Sequence, residues 1–109
     1  MKRVLRRRSD FERVTRSGTA HRGDLMILYV APSEGEARAG FVTGRRVGGA
    51  VQRNRARRLL REAWRALAPR VQGGHDLVVV ARPTIEGARA QTVTADLGTL
   101  LARARLIGA

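Results

Sequence analysis

Arg53, Arg57, Arg61 and Arg65 recur at every fourth residue of VGGAVQRNRARRLLREAWRAL, the stretch from Val47 to Leu67. Arg55 and Arg58 add two more guanidinium groups, and Glu62 is the single acid among them. A guanidinium is a rigid fork of N–H donors that matches phosphate or carboxylate and cannot take up a proton at neutral pH. The chemistry within its reach is the grip of an anion. Hydrolysis asks for other residues: a positioned histidine, a pair of carboxylates, or carboxylates that hold a metal. His21 and His75 stand apart, each in loop-like surroundings, and Glu34 and Glu36 fall in a turn far along the chain from the arginines. With no cysteine, thiolate nucleophiles, disulfides and Cys-ligated zinc are excluded. No catalytic residue and no metal-ligand set can be assigned. The expectation is a chain that binds while something else does the chemistry.

The spacing has meaning only on a helix. Each helical residue advances by about 100°, so Arg53, Arg57, Arg61, Asn54, Arg65 and Arg58 share an arc of roughly 140°. Ala56, Leu59, Leu60, Ala63 and Leu67 gather on another side, and Trp64 falls at the edge of the basic arc, where it is expected to pack inward with its ring edge exposed. Arg55 lies outside the row, at the far polar border. Like charges at i, i+4 repel by a few tenths of a kcal/mol each, and solvated faces normally mix signs for that reason. Arginines early in the helix also oppose its dipole. Phosphates would compensate both costs, and Gly48 and Gly49 leave the helix N-terminus open to them.

The whole chain repeats the message. Its 109 residues suit one domain, and its net charge of +13 opposes compaction unless a polyanion is the partner. Of 22 basic residues only Lys2 is lysine, a skew that fits GC-rich coding and says little about function. The excess of bases over acids is not explained that way. Nucleic acid is the first candidate partner. A membrane surface is a poor second, because the leucines opposite the basic arc are needed for the core. The opening MKRVLRRR has no apolar stretch after it as a signal peptide would, and no apolar run approaches membrane-spanning length. A cytoplasmic location is expected.

Residues 1–8 read as a flexible basic arm and 9–109 as a single RNA-binding domain. Ser9 and Glu12 have capping-box spacing for a short first helix, which Gly18 would stop. Thr19 to Arg22 offers a short strand, Asp24 to Ala31 a second and Gly40 to Thr43 a third. The arginine helix, roughly 49–68, ends at Pro69. Asp76 to Arg82 is a nearly pure apolar strand, expected to be buried on both faces. Val93, Leu97, Leu100, Leu101 and Ala104 then mark an amphipathic helix from Thr92 to Leu106. The class is α+β, a sheet packed by helices.

GRRVGGAVQRNRARRLLREAWR, with DFERV before it and HDLVVVARP after it, resembles the bacterial ribonuclease P protein component. The family's mark is Arg-Asn-Arg at the front of a basic helix, followed by K/R-R-x-x-R-E. Here it is Arg53-Asn54-Arg55, then Arg57-Arg58-Leu59-Leu60-Arg61-Glu62. The resemblance runs in order from about Arg7 to Leu106. It implies a single-layer sheet packed by helices in α-β-β-β-α-β-α order, with a left-handed βαβ crossover against the usual preference, similar to a ribosomal-protein domain. It also implies a partner, the catalytic RNA that cleaves the 5′ leader from precursor tRNA with Mg²⁺. The metal would be held mainly by that RNA and the substrate.

By the same resemblance Arg53, Asn54, Arg55, Arg57, Arg58 and Arg61 face the catalytic RNA. If a groove for the leader exists, Arg45, Arg46 and the Arg-rich N-terminus would hold the phosphates alongside it. Phe11 and Tyr29 match aromatics of a cleft for the single-stranded leader; read from the residues alone, both suit the core equally. Two positions depart from the family pattern. Thr15 stands where a second aromatic is common, and Gly44-Arg45-Arg46 stands where Ser-Lys-Lys is usual, so charge is kept and a hydroxyl lost. With aromatics at 4%, stacking on bases cannot be extensive and phosphate contact should dominate. A ribosomal or other structural-RNA-binding protein would share the size and charge. A DNA binder would present a recognition helix to the major groove. Neither accounts for the Arg-Asn-Arg helix together with its flanking strands, so no DNA partner is expected.

Overall fold

The computed structural model describes residues 3–108. In chain order it places α1 (Arg8–Ser17), β1 (Thr19–Arg22), β2 (Met26–Pro32), β3 (Arg38–Val42), α2 (Ala50–Leu67), β4 (His75–Ala81) and α3 (Ala90–Arg103). This is the expected α-β-β-β-α-β-α order. The strands form one sheet in the order β1-β2-β4-β3. β2 is antiparallel to both its neighbours, β3 is parallel to β4, and α2 crosses between that parallel pair.

Strand alternation divides the core in two. Leu28 pairs with Val79 and Ala39 with Leu77, and these side chains meet Leu60, Trp64, Leu97 and Leu101 of α2 and α3. Tyr29 pairs with Val78, and Val78 with Gly40, on the opposite face. There α1 lays Val14 over Val78 and Ala31, with Leu5 beside them. Leu77, Val78 and Val79 are all fully buried, as the unbroken apolar run of β4 requires of a central strand. Gly18 has to be glycine at the exit of α1, since a Cβ there would lie 2.3 Å from the Val14 carbonyl oxygen.

Several expectations need correction. The N-cap of α1 is Arg7 and not Ser9, and no side chain caps the helix. Glu12 pairs with Arg8, at 3.5 Å, in place of closing a capping box. The reason is tertiary: the chain enters α1 from a segment already tied to the sheet. Met1 and Lys2, the start of the expected arm, lie outside the described residues. From Arg3 onward the arm is part of the domain. Leu5 N–H donates to Ala39 O at 2.9 Å, Ala39 N–H donates to Arg3 O at 3.0 Å, and Leu5 is buried. The free edge of β3 thereby finds partners for its backbone groups. Trp64 packs inward as expected but without an exposed ring edge: it is fully buried, with Nε1 donating to Arg3 O at 3.0 Å. His21 and His75 belong to β1 and β4, not to loops.

α3 also ends earlier than its periodicity suggests. Leu106 N–H returns to Leu101 O at 2.9 Å and Arg105 N–H to Ala102 O at 3.0 Å, the bonding pattern of a Schellman ending. Arg105 takes the left-handed position in it, with φ of 62°. Among the described residues no helix is long and apolar enough to cross a membrane.

Candidate nucleic-acid interface

The entry to α2 is built from glycines. Gly48 has φ of 139°, a conformation that favours glycine, and the carbonyl of Gly49 accepts the first helical bond from Arg53 N–H at 2.9 Å. No acid stands in the first turn. The inward side is Ala56, Leu59, Leu60, Ala63, Trp64 and Leu67, all buried, so the basic residues are left outward. Asn54, Arg58, Arg61 and Arg65 are exposed, and Arg53, Arg55 and Arg57 are half-buried.

The row does not face open solvent along its whole length. Arg57, Arg61 and Arg65 form one wall of a cavity of about 600 Å³, with Arg6, Phe11 and Phe41 on other sides. Arg57 is held there by two hydrogen bonds. Its Nη2 donates to Thr43 Oγ1 at 2.9 Å and its Nη1 to Asn54 Oδ1 at 3.2 Å. Asn54 and Thr43 thus aim an arginine. Arg55 does something else: its Nη2 donates to Ala88 O at 2.8 Å and ties α2 to the loop after β4. Arg45 and Arg46 are exposed on a 3-10 turn, Arg45–Val47, just before the glycines. Four guanidinium groups and two aromatic rings around one cavity can hold phosphates and a base together.

Phe11 and Tyr29 lie on the same face of the sheet, half-buried against the cluster of Leu5, Val14, Ala31 and Val78. Only Phe11 reaches the arginine cavity. Its ring rests on Gly40, where a Cβ would come within 2.3 Å of Phe11 Cζ. Thr15, one turn on, is exposed and spends its hydroxyl on the Phe11 carbonyl at 2.8 Å.

What holds α1 in place is charged. Asp76 is fully buried at the start of β4. Arg38 binds it through both N–H arms, at 3.0 and 2.9 Å, and Arg13 of α1 donates to the same carboxylate. Burial alone would raise the Asp76 pKa, but hydrogen bonds from Arg38 and Arg13 outweigh it and hold the carboxyl below its usual range. Both arginines are shifted up in turn, chiefly by their hydrogen bonds to Asp76.

Arg6, from the Arg-rich N-terminus expected to hold phosphates, lines this cavity. Reading the sequence missed Phe41 and Thr43 here, since nothing local marks either as a neighbour of α2. Glu62 is the lone acid of α2, Asp10 is engaged by Arg13, and Asp76 is engaged by Arg13 and Arg38. Among the described residues no three His, Cys, Asp or Glu side chains stand together as a metal site.

Residues 1–105 match the model of the family described as Ribonuclease P. The chain is 46% identical over 107 residues to the ribonuclease P protein component of Chloroflexus aurantiacus, covering 96% of this chain and 79% of that one. It is 34% identical over 105 residues to the same component of Brevibacillus brevis, covering 94% and 83%. Among solved structures, the RNase P protein from Thermotoga maritima superposes with a TM-score of 0.82 at 28% identity, over 92% of this chain and 96% of that one. The RNase P protein of Staphylococcus aureus, at 20% identity, shares the fold with a TM-score of 0.87 over 99% and 100%.

Proposed function

The chain belongs to the ribonuclease P protein family, and from that premise we propose that α2 docks on the catalytic RNA while the α1 face of the sheet receives the 5′ leader of precursor tRNA. The observation that carries this reading is the cavity where Arg57, Arg61 and Arg65 meet Arg6, Phe11 and Phe41. It joins the arginine row to the aromatic face, so one continuous surface serves both the RNA subunit and an unpaired strand. Arg53 and Arg58 extend the phosphate contacts along α2, and Arg45 and Arg46 extend them past its N-terminus. Asn54 acts through Arg57, which it orients. Phe11 and Tyr29 give the leader apolar surface, and the Asp76 ion pairs hold α1 at a fixed distance from the sheet.

The protein supplies charge and shape to an RNA-catalysed reaction in the cytoplasm. Magnesium belongs to the RNA and the substrate, since the carboxylates beside this surface are already engaged or stand alone. The test is reconstitution with the cognate catalytic RNA, Mg²⁺ and a precursor tRNA. Protein and RNA together should remove the 5′ leader at lower Mg²⁺ than the RNA alone, and protein by itself should leave the precursor intact. Cleavage by RNA-free protein, or an RNA whose magnesium requirement the protein does not change, refutes the assignment.

A further inference from the structure

The sheet has two edges, and the arginine cavity borders only one of them. At the other, β1, lies a groove of about 350 Å³ lined by Thr19, His21, Pro32, His75, Arg103 and Arg105 among others. No acidic side chain lines it, and both histidines of the chain do. Arg103 is fixed across the gap between α3 and β1, its Nη1 donating to Arg22 O at 3.0 Å. The rest of its fork is left for another acceptor.

Arg105 is an independent observation. It occupies the left-handed position of the α3 ending, where glycine is usual because a Cβ is strained there. It is the only non-glycine residue with positive φ among those described. Strain of this kind persists where surrounding structure imposes it, and it clusters at sites with a use for the side chain. Here buried Leu101 and Leu106 anchor the turn, and the strained residue forms part of the groove wall.

The dimensions select the ligand. His21 pairs opposite Leu28 and His75 opposite Pro32, on the two flanks of β2. Two strand spacings and four residues separate them, roughly 16 Å by strand geometry. That is too long for one phosphate ion and suits a chain of them. We propose that this groove is a second RNA site, taking the phosphodiester backbone of a single-stranded segment at the edge of the sheet remote from α2. It goes beyond the role given to α2, and either site can exist without the other. Guanidinium forks, imidazoles and a threonine hydroxyl around a groove without acids favour phosphates. An acidic peptide is the competing occupant, and the test separates the two.

Full-length ¹⁵N-labelled protein is titrated with a single-stranded oligoribonucleotide of about ten nucleotides, within the span such grooves cover. The amide signals of Thr19, His21 and Arg105 report on the groove. They should shift in the unaltered chain and equally in the Arg53→Glu/Arg57→Glu variant. Arg105→Gly should weaken binding at these signals about three- to tenfold and lower the salt dependence by about one contact, while its melting temperature holds or rises. Arg105→Lys should keep most of the binding. The proposal is overturned if the groove signals do not respond, if they stop responding in the α2 variant, or if Arg105→Gly binds unchanged. A polyglutamate that shifts them as strongly as RNA at equal charge overturns the choice of RNA. Failure of reconstitution would leave these signals unaffected, so the two readings fail separately.

Discussion

Arg38 grips Asp76 through two parallel hydrogen bonds, Nε to Oδ1 at 3.0 Å and Nη2 to Oδ2 at 2.9 Å, and the carboxylate has no exposed surface. Arg13 reaches the same carboxylate from α1, so a strand, a helix and the central strand share one charge. Both guanidinium groups keep part of their surface in water, which limits their own desolvation.

A pH dependence follows from that arrangement. Because the folded pKa of Asp76 is depressed, its stabilisation is complete above the unfolded carboxylate range, about pH 4, and disappears as pH falls through the folded value. Urea midpoints should fall on acidification below about pH 4, and Asp76→Asn should flatten that part of the profile. The variant should lose on the order of 2–4 kcal/mol at neutral pH, since Arg38 loses its carboxylate partner and Arg13 keeps only Asp10 and the Pro32 carbonyl. An unchanged acid limb in the variant would assign it to other carboxylates.

Assembly should depend steeply on salt and on the face of α2. Four arginines in the row predict a slope of log Kd against log salt on the order of three for the catalytic RNA. Reversing Arg53 and Arg57 to Glu should abolish assembly while circular dichroism still reports a folded chain. Reversing Arg103 and Arg105, at the far edge of the sheet, should matter much less for assembly. Equal losses from the two pairs would make net charge the determinant.

The aromatic face is tested by comparing precursor with mature tRNA. Tyr29→Ala should weaken precursor binding by about 1–3 kcal/mol and leave mature tRNA nearly unaffected, since only the precursor carries a leader. Phe11→Ala should do the same with a lowered melting temperature, because its ring also packs on Gly40. Parallel losses for both RNAs, tracking the melting temperature, would return both rings to the core.

Gly40→Ala reaches the same surface without touching RNA. Its Cβ would sit 2.3 Å from Phe11 Cζ, so the ring has to move. A cost of about 1–3 kcal/mol in stability is expected, with precursor affinity reduced more than mature. The double variant with Phe11→Ala should regain stability relative to Gly40→Ala alone. Strict additivity of the two would deny the contact.

The row from Arg53 to Arg65 was legible in the sequence because helical periodicity is local. The same 3.6-residue turn that sends Leu59, Leu60 and Ala63 inward leaves the arginines outside. The central place of β4 was legible too, since an unbroken apolar run has no face to show to water. These readings need only the order of residues within one element. The tertiary structure decided what the elements meet. Arg6 and Phe41 join the arginine row because Arg3 to Leu5 pairs beside β3. Asp76, a lone acid opening an apolar strand, became the buried anchor of α1 because Arg13 and Arg38 converge on it from other elements. His21 and His75, 54 positions apart by subtraction of their numbers, line one groove because β2 lies between their strands and α3 closes over the end. Periodicity records which side of an element avoids water; it does not record which partner covers that side, because strand order is set by contacts between residues far apart in the chain.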